Sequence, residues 1–139
     1  MAITQTMCSS FKQQILLGEH DLDTDVLKVA LYTSSATLGA STTAYTTSNE
    51  VVGAGYVAGG NTLTGATVTL DGTTAVVDFN DVSWAASTIT ARGALIYNSS
   101  KSNKAIAVLD FGADKVSSVG TFTISFPAAT AGSAVIQIS

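Results

Sequence analysis

From residue 26 onward no stretch of the chain carries the three-to-four-residue apolar spacing of a helix; β-patterned runs follow one another with only turn residues and loops between them. Parallel neighbours in one sheet need a long crossover, usually a helix. The pattern therefore fits a β-sandwich or jelly roll better than a βαβ fold, and antiparallel pairing is expected. The runs lie at 26–32, 67–70, 74–79, 89–97, 104–111, 121–126 and 134–138. In the first, Leu27, Val29 and Leu31 alternate with Lys28, Ala30 and Tyr32, which predicts a strand with one buried face. Asp71-Gly72 sits between the second and third and predicts a type I′ hairpin turn with both residues at positive φ. The polar stretch 98–103 links another pair, and Pro127 ends the sixth run. The single helical signal is N-terminal. Ser10 and Gln13 have capping-box spacing, Phe11, Ile15 and Leu16-Leu17 follow at helical intervals, and Gly18 supplies a stop. Two turns of helix are unstable alone, so this one must dock. The expectation is an all-β protein: an antiparallel, jelly-roll-like β-sandwich of about eight strands with one short N-terminal helix, in which residues 1–139 form a single domain.

Composition narrows the function classes. Hydrophobic residues are 46% of the chain, enough for a sizeable core, but charged residues are only 12% where about 25% is usual. Sixteen charged side chains must cover roughly 6,700 Å² on a monomer of this mass. The 20 Thr and 16 Ser can wet part of that surface, and an assembly would hide more of it. Six basic residues, scattered and outnumbered by ten acidic ones, cannot neutralise a run of phosphates, so no direct nucleic-acid partner is expected. No segment approaches the ~18 consecutive apolar residues of a membrane helix, so no membrane partner is expected either. The N-terminal MAITQTMCSSFKQQ has no basic residue before Lys12 and no apolar core, and does not read as a secretory signal; synthesis and assembly in a cytoplasm are expected. Cys8 stands alone, which excludes an internal disulfide and a cysteine-rich metal site.

Candidate chemistry is sparse. Gly53-Ala54-Gly55-Tyr56-Val57-Ala58 matches a loose dinucleotide fingerprint, but Asn61-Thr62-Leu63-Thr64 follows where a helix should begin. Asp21, Asp23 and Asp25 alternate like the start of a calcium loop, yet Val26 and Tyr32 occupy the positions that need Gly and Glu. They read as a solvated acidic turn. His20 has acidic neighbours but no nucleophile motif beside it, and reads as a surface histidine. Glu50, Asp78, Asp81 and Asp110 read as ordinary strand-end and turn residues, Trp84 as packing, and Asn98-Ser99-Ser100 as a polar turn. No catalytic, cofactor-binding or metal-ligating residue is assigned, no cofactor is implied, and no enzymatic activity is expected. Residues 33–50 are rich in Thr, Ser and Ala, and the glycines at 53–60 continue the same character. This reads as a long loop or weakly paired extension, the kind that tends to be functional or to be ordered by a partner.

Five segments in order carry a resemblance: residues 28–39 (KVALYTSSATLG); Asn49-Glu50-Val51 with the glycines from Gly53 to Gly60; residues 91–98 (ARGALIYN); residues 104–112 (KAIAVLDFG); and residues 122–127 ending at Pro127. As a set they resemble a family of small structural (virion) proteins of tailed bacteriophages. The resemblance implies a particle component, with capsid cement or decoration as the role expected. The implied partner is the major capsid protein, whose neighbouring subunits such a protein bridges on the head surface. A homo-oligomer is expected, and a trimer would suit local threefold positions. A tail or tail-fibre-associated protein is the alternative, and a carbohydrate-acting enzyme, which would need converging carboxylates, is a third.

Overall fold

The computed structural model describes residues 2–139 and is built from two antiparallel sheets and one short helix. In chain order the elements are β1 (Thr6–Met7), α1 (Ser9–Leu16), β2 (Leu27–Tyr32), β3 (Asn61–Thr62), β4 (Thr67–Asp71), β5 (Thr74–Asp78), β6 (Val82–Asn98), β7 (Lys104–Ile124) and β8 (Ile136–Ile138). The larger sheet has the order β1-β7-β6-β2-β3, the smaller β4-β5-β8. The all-β sandwich expected from the pattern is the fold. One buried cluster takes in Val29, Leu31 and Ile96 of the larger sheet, Val77 and Ile136 of the smaller, and Phe11 of α1.

Three local expectations need correction. The runs at 104–111 and 121–126 are one 21-residue strand, and the run at 89–97 is part of a 17-residue strand that starts at Val82. The joining stretches hid because the β6–β7 ladder breaks register at four places. Ala86 and Val119 take positive φ there, so the two-residue period is lost where side chains are mostly exposed. The hairpin turn is shifted by one residue: Asp71 pairs with Thr74, so the central pair is Gly72-Thr73, and only Gly72 has positive φ. That is the pattern of a type II′ turn, which needs glycine only at its first position. Finally, α1 has no side-chain cap. Cys8 is the N-cap residue and the Ser10 hydroxyl is buried without a hydrogen-bond partner, so docking rather than capping stabilises this helix. Gly18 does stop it, at φ 72°, and Phe11 is its buried anchor.

β2 also departs from the one-faced strand. Leu27, Val29 and Leu31 share a face with Asn98, Ile96 and Ala94 of β6, while Ala30 and Tyr32 share the opposite face with Leu95 and Gly93. Both faces are buried from Val29 on. The second face is covered by the long segment after β2, which folds back over its own strand.

Candidate functional site

That covering segment, residues 33–65, contains a single charged residue, Glu50, and Glu50 is only 7% exposed. Its carboxylate accepts three hydrogen bonds: from the Tyr45 hydroxyl at 2.6 Å, from the Tyr56 hydroxyl, and from the Gly59 N–H at 2.8 Å. The Tyr56 oxygen accepts in turn from the Leu31 N–H at 2.9 Å. A tyrosine thus occupies a hydrogen-bonding position on the β2 edge that a further strand would otherwise take. Val51 N–H donates to the Leu31 carbonyl and Leu63 N–H to the Leu27 carbonyl, which closes the rest of that edge. Tyr32 and Tyr97 donate to the carbonyls of Thr46 and Gly59, both at 2.6 Å, and Tyr97 stacks on Tyr45 with ring centroids 4.7 Å apart. Burial, and then the hydrogen bond to Glu50, push the Tyr45 and Tyr56 hydroxyls well above the usual phenol range. They act as donors to the carboxylate and do not ionise under physiological conditions. The segment is therefore a fixed part of the sandwich rather than a loose extension. Its outward surface carries no charge, and Val52 and Val57 stand exposed on it at 97% and 76%.

The glycines at 53–60 serve close approach. A β-carbon on Gly60 would meet the Val29 carbonyl oxygen at 1.8 Å, and one on Gly53 the Thr88 carbonyl oxygen at 2.3 Å. The backbone lies directly on β2 and β6, and the strand β3 follows where a dinucleotide site would place a helix.

A second polar cluster joins α1, the acidic turn and the β6 end. His20, expected at the surface, is 6% exposed; its ring lies 5.1 Å from that of Phe11. Asn98 donates from Nδ2 to the Asp25 carboxylate at 2.7 Å and accepts at Oδ1 from the Ser100 N–H. That pair of bonds fixes the amide orientation, so Nδ1 of His20, 3.0 Å from Asn98 Nδ2, must accept. Nε2 then carries the proton and donates to Gln14 Oε1 at 2.8 Å. Burial first, and the Lys104 charge next, hold the imidazole below its ordinary value. With both nitrogens occupied, the ring is a structural element.

The remaining sequence candidates are also engaged structurally. Asp25 accepts from the Asp21 N–H, Asp78 from the Phe79 N–H, Asp81 from the Phe126 N–H, and Asp110 pairs with Arg92 at 3.0 Å. Trp84 is 3% exposed and packs between Tyr56 and Phe122. Among the described residues, no three His, Cys, Asp or Glu side chains gather as a metal site, and no helix is long and apolar enough to cross a membrane. The groove of about 540 Å³ between α1 and the smaller sheet is lined by His20, Asp21 and Asp23 but by no Ser, Thr or Cys side chain. Reading the sequence missed the Glu50 clasp. The signal was available: one acidic residue in an otherwise uncharged stretch, with tyrosines five residues before and six after it. No family model, curated protein or solved structure matches the chain.

Proposed function

We propose that this chain is a structural protein of a tailed-phage virion, a cement protein that sits on the outside of the head and bridges neighbouring major capsid subunits. The observation that carries this reading is the 33–65 surface, which is uncharged because its one carboxylate is turned inward. An uncharged polar surface costs less to desolvate than a charged one, and one held in place by buried hydrogen bonds loses little conformational freedom on docking. The exposed Val52 and Val57 supply apolar contact on it. The five sequence segments that resemble phage virion proteins point the same way, and self-association on the capsid is part of the proposal.

Deletion is the wrong probe, because Ala36 and Leu38 are buried and Tyr45 belongs to the clasp. The test is the double substitution Val52→Asp, Val57→Asp, assayed by co-sedimentation with phage heads that lack the protein. The variant should keep its far-ultraviolet spectrum and lose head binding by at least about tenfold, since each buried, unpaired carboxylate costs more than 1 kcal/mol. Undiminished binding by the folded variant overturns the assignment of this surface.

A further inference from the structure

We propose that β4 is a self-pairing edge through which two copies of this chain join their smaller sheets about a twofold axis centred on Thr69. The proposal stands apart from the virion reading and can fail independently of it.

β4 is the outer strand of the β4-β5-β8 sheet, and all five of its residues are exposed. Edge strands in soluble proteins are ordinarily blunted by charge, proline, bulges or a covering segment. The other edges of this protein show such devices. The β2 edge is covered by the 33–65 segment, and the open side of β7 beyond Leu109 carries Asp110, Asp114 and Lys115 and runs against a ladder that breaks register three times over that length. β8 is only three residues long. β4 has none of these between Thr67 and Leu70. Its one charged residue, Asp71, lies at the turn and accepts from the Ala131 N–H at 2.7 Å.

The backbone arithmetic selects a register. The ladder ends on Asp71↔Thr74 across a two-residue turn, so that pair must exchange its hydrogen bonds, as must Thr69↔Val76 and Thr67↔Asp78. The N–H and C=O groups of Val68 and Leu70 then point outward. An antiparallel copy centred on Thr69 places Val68 opposite Leu70 of the second copy and Leu70 opposite its Val68, and every outward group finds a partner. Thr67 falls opposite Asp71, so no like charges meet, and Thr69 faces its own counterpart.

The side chains agree with that geometry. Val68 and Leu70, 48% and 73% exposed, share a face with Ala75, Val77, Ile136 and Ile138. Ile138 is half exposed and continues to Leu16 of α1, which is 88% exposed beside it. Pairing two β4 strands brings two such apolar faces edge to edge in one continuous sheet. The hydrogen bonds set the register and the apolar face supplies the contact area. A contact of this kind closes on two copies, so a trimer would have to be built through a different surface.

The test uses charge at the axis. Sedimentation velocity at about 50 μM should show a dimer for the unaltered chain. Thr69→Glu and Thr69→Lys each place like charges directly opposite and should weaken the dimer by up to about fivefold. An equimolar mixture of the two variants should restore it. A monomeric unaltered chain, an undiminished dimer in Thr69→Glu, or no recovery on mixing overturns the proposal. Should either charged variant fold poorly, Thr69→Cys serves instead. A non-hydrogen-bonded antiparallel pair brings Cα atoms to about 4.5 Å, within disulfide range, so oxidation of the folded Thr69→Cys variant should give a covalent dimer, and its failure to form contradicts the register.

Discussion

Nδ1 of His20 accepts a hydrogen bond from Nδ2 of Asn98, 3.0 Å away, in an amide whose other bonds leave it no freedom to turn round. Protonation of His20 would set two donors against each other. Burial and Lys104, reinforced by Lys101, lower the folded-state value, while Asp25 and Glu19 oppose them. The unfolded chain, near the ordinary 6.5, therefore binds the proton first as pH falls. Stability from this site is complete above about 6.5 and is lost as pH drops through the folded value. Urea midpoints measured between about pH 7 and pH 5 should decline, and His20→Gln should flatten that slope. An unchanged slope in the variant would contradict the assigned tautomer.

The Glu50 clasp should behave as one unit. Tyr56→Phe leaves the buried Leu31 N–H without a partner and removes one of the two donors to Oε2 of Glu50, which keeps the Gly59 N–H; it should cost about 1–3 kcal/mol, and Glu50→Gln a similar amount. Because both break the same network, the double variant should cost less than the sum. Strict additivity in denaturant titrations would show that the two groups do not act together.

Two glycines at positive φ separate backbone conformation from crowding. Gly72→Ala meets no atom within 4 Å and should cost only the left-handed penalty of about 1–2 kcal/mol. Gly60→Ala drives a β-carbon into the Val29 carbonyl and should cost at least about 3 kcal/mol or abolish folding. Thermal midpoints that fail to separate the two would mean the 53–60 backbone does not lie on β2.

Cys8 is fully buried, and burial pushes its thiol up to about 11. Labelling by a maleimide at pH 7 should be negligible in the native protein and complete in denaturant. Rapid native labelling would show that the α1 packing opens.

The fold class was legible because β2 announces itself by two-residue alternation, and β4 and β5 by β-branched runs joined at a turn signal. The shape of the longest strands was not, since positive φ at Ala86 and Val119 breaks the period on which such reading depends. The depth of His20 and Glu50 was equally invisible. Each is surrounded in sequence by residues that look like surface, and is buried by partners 78 residues away in one case (Asn98) and by its own loop folding back in the other. That the uncharged segment is a fixed surface could be read only from the hydrogen bonds that hold it.

The most direct test of the central claim is the copy number of this chain in purified particles, counted by quantitative mass spectrometry against the major capsid protein, with labelled electron microscopy to place it. Head decoration predicts hundreds of copies spread over the capsid exterior. Roughly three to twelve copies, the number that tail symmetry allows, with label confined to the tail, or no copies at all, would contradict it.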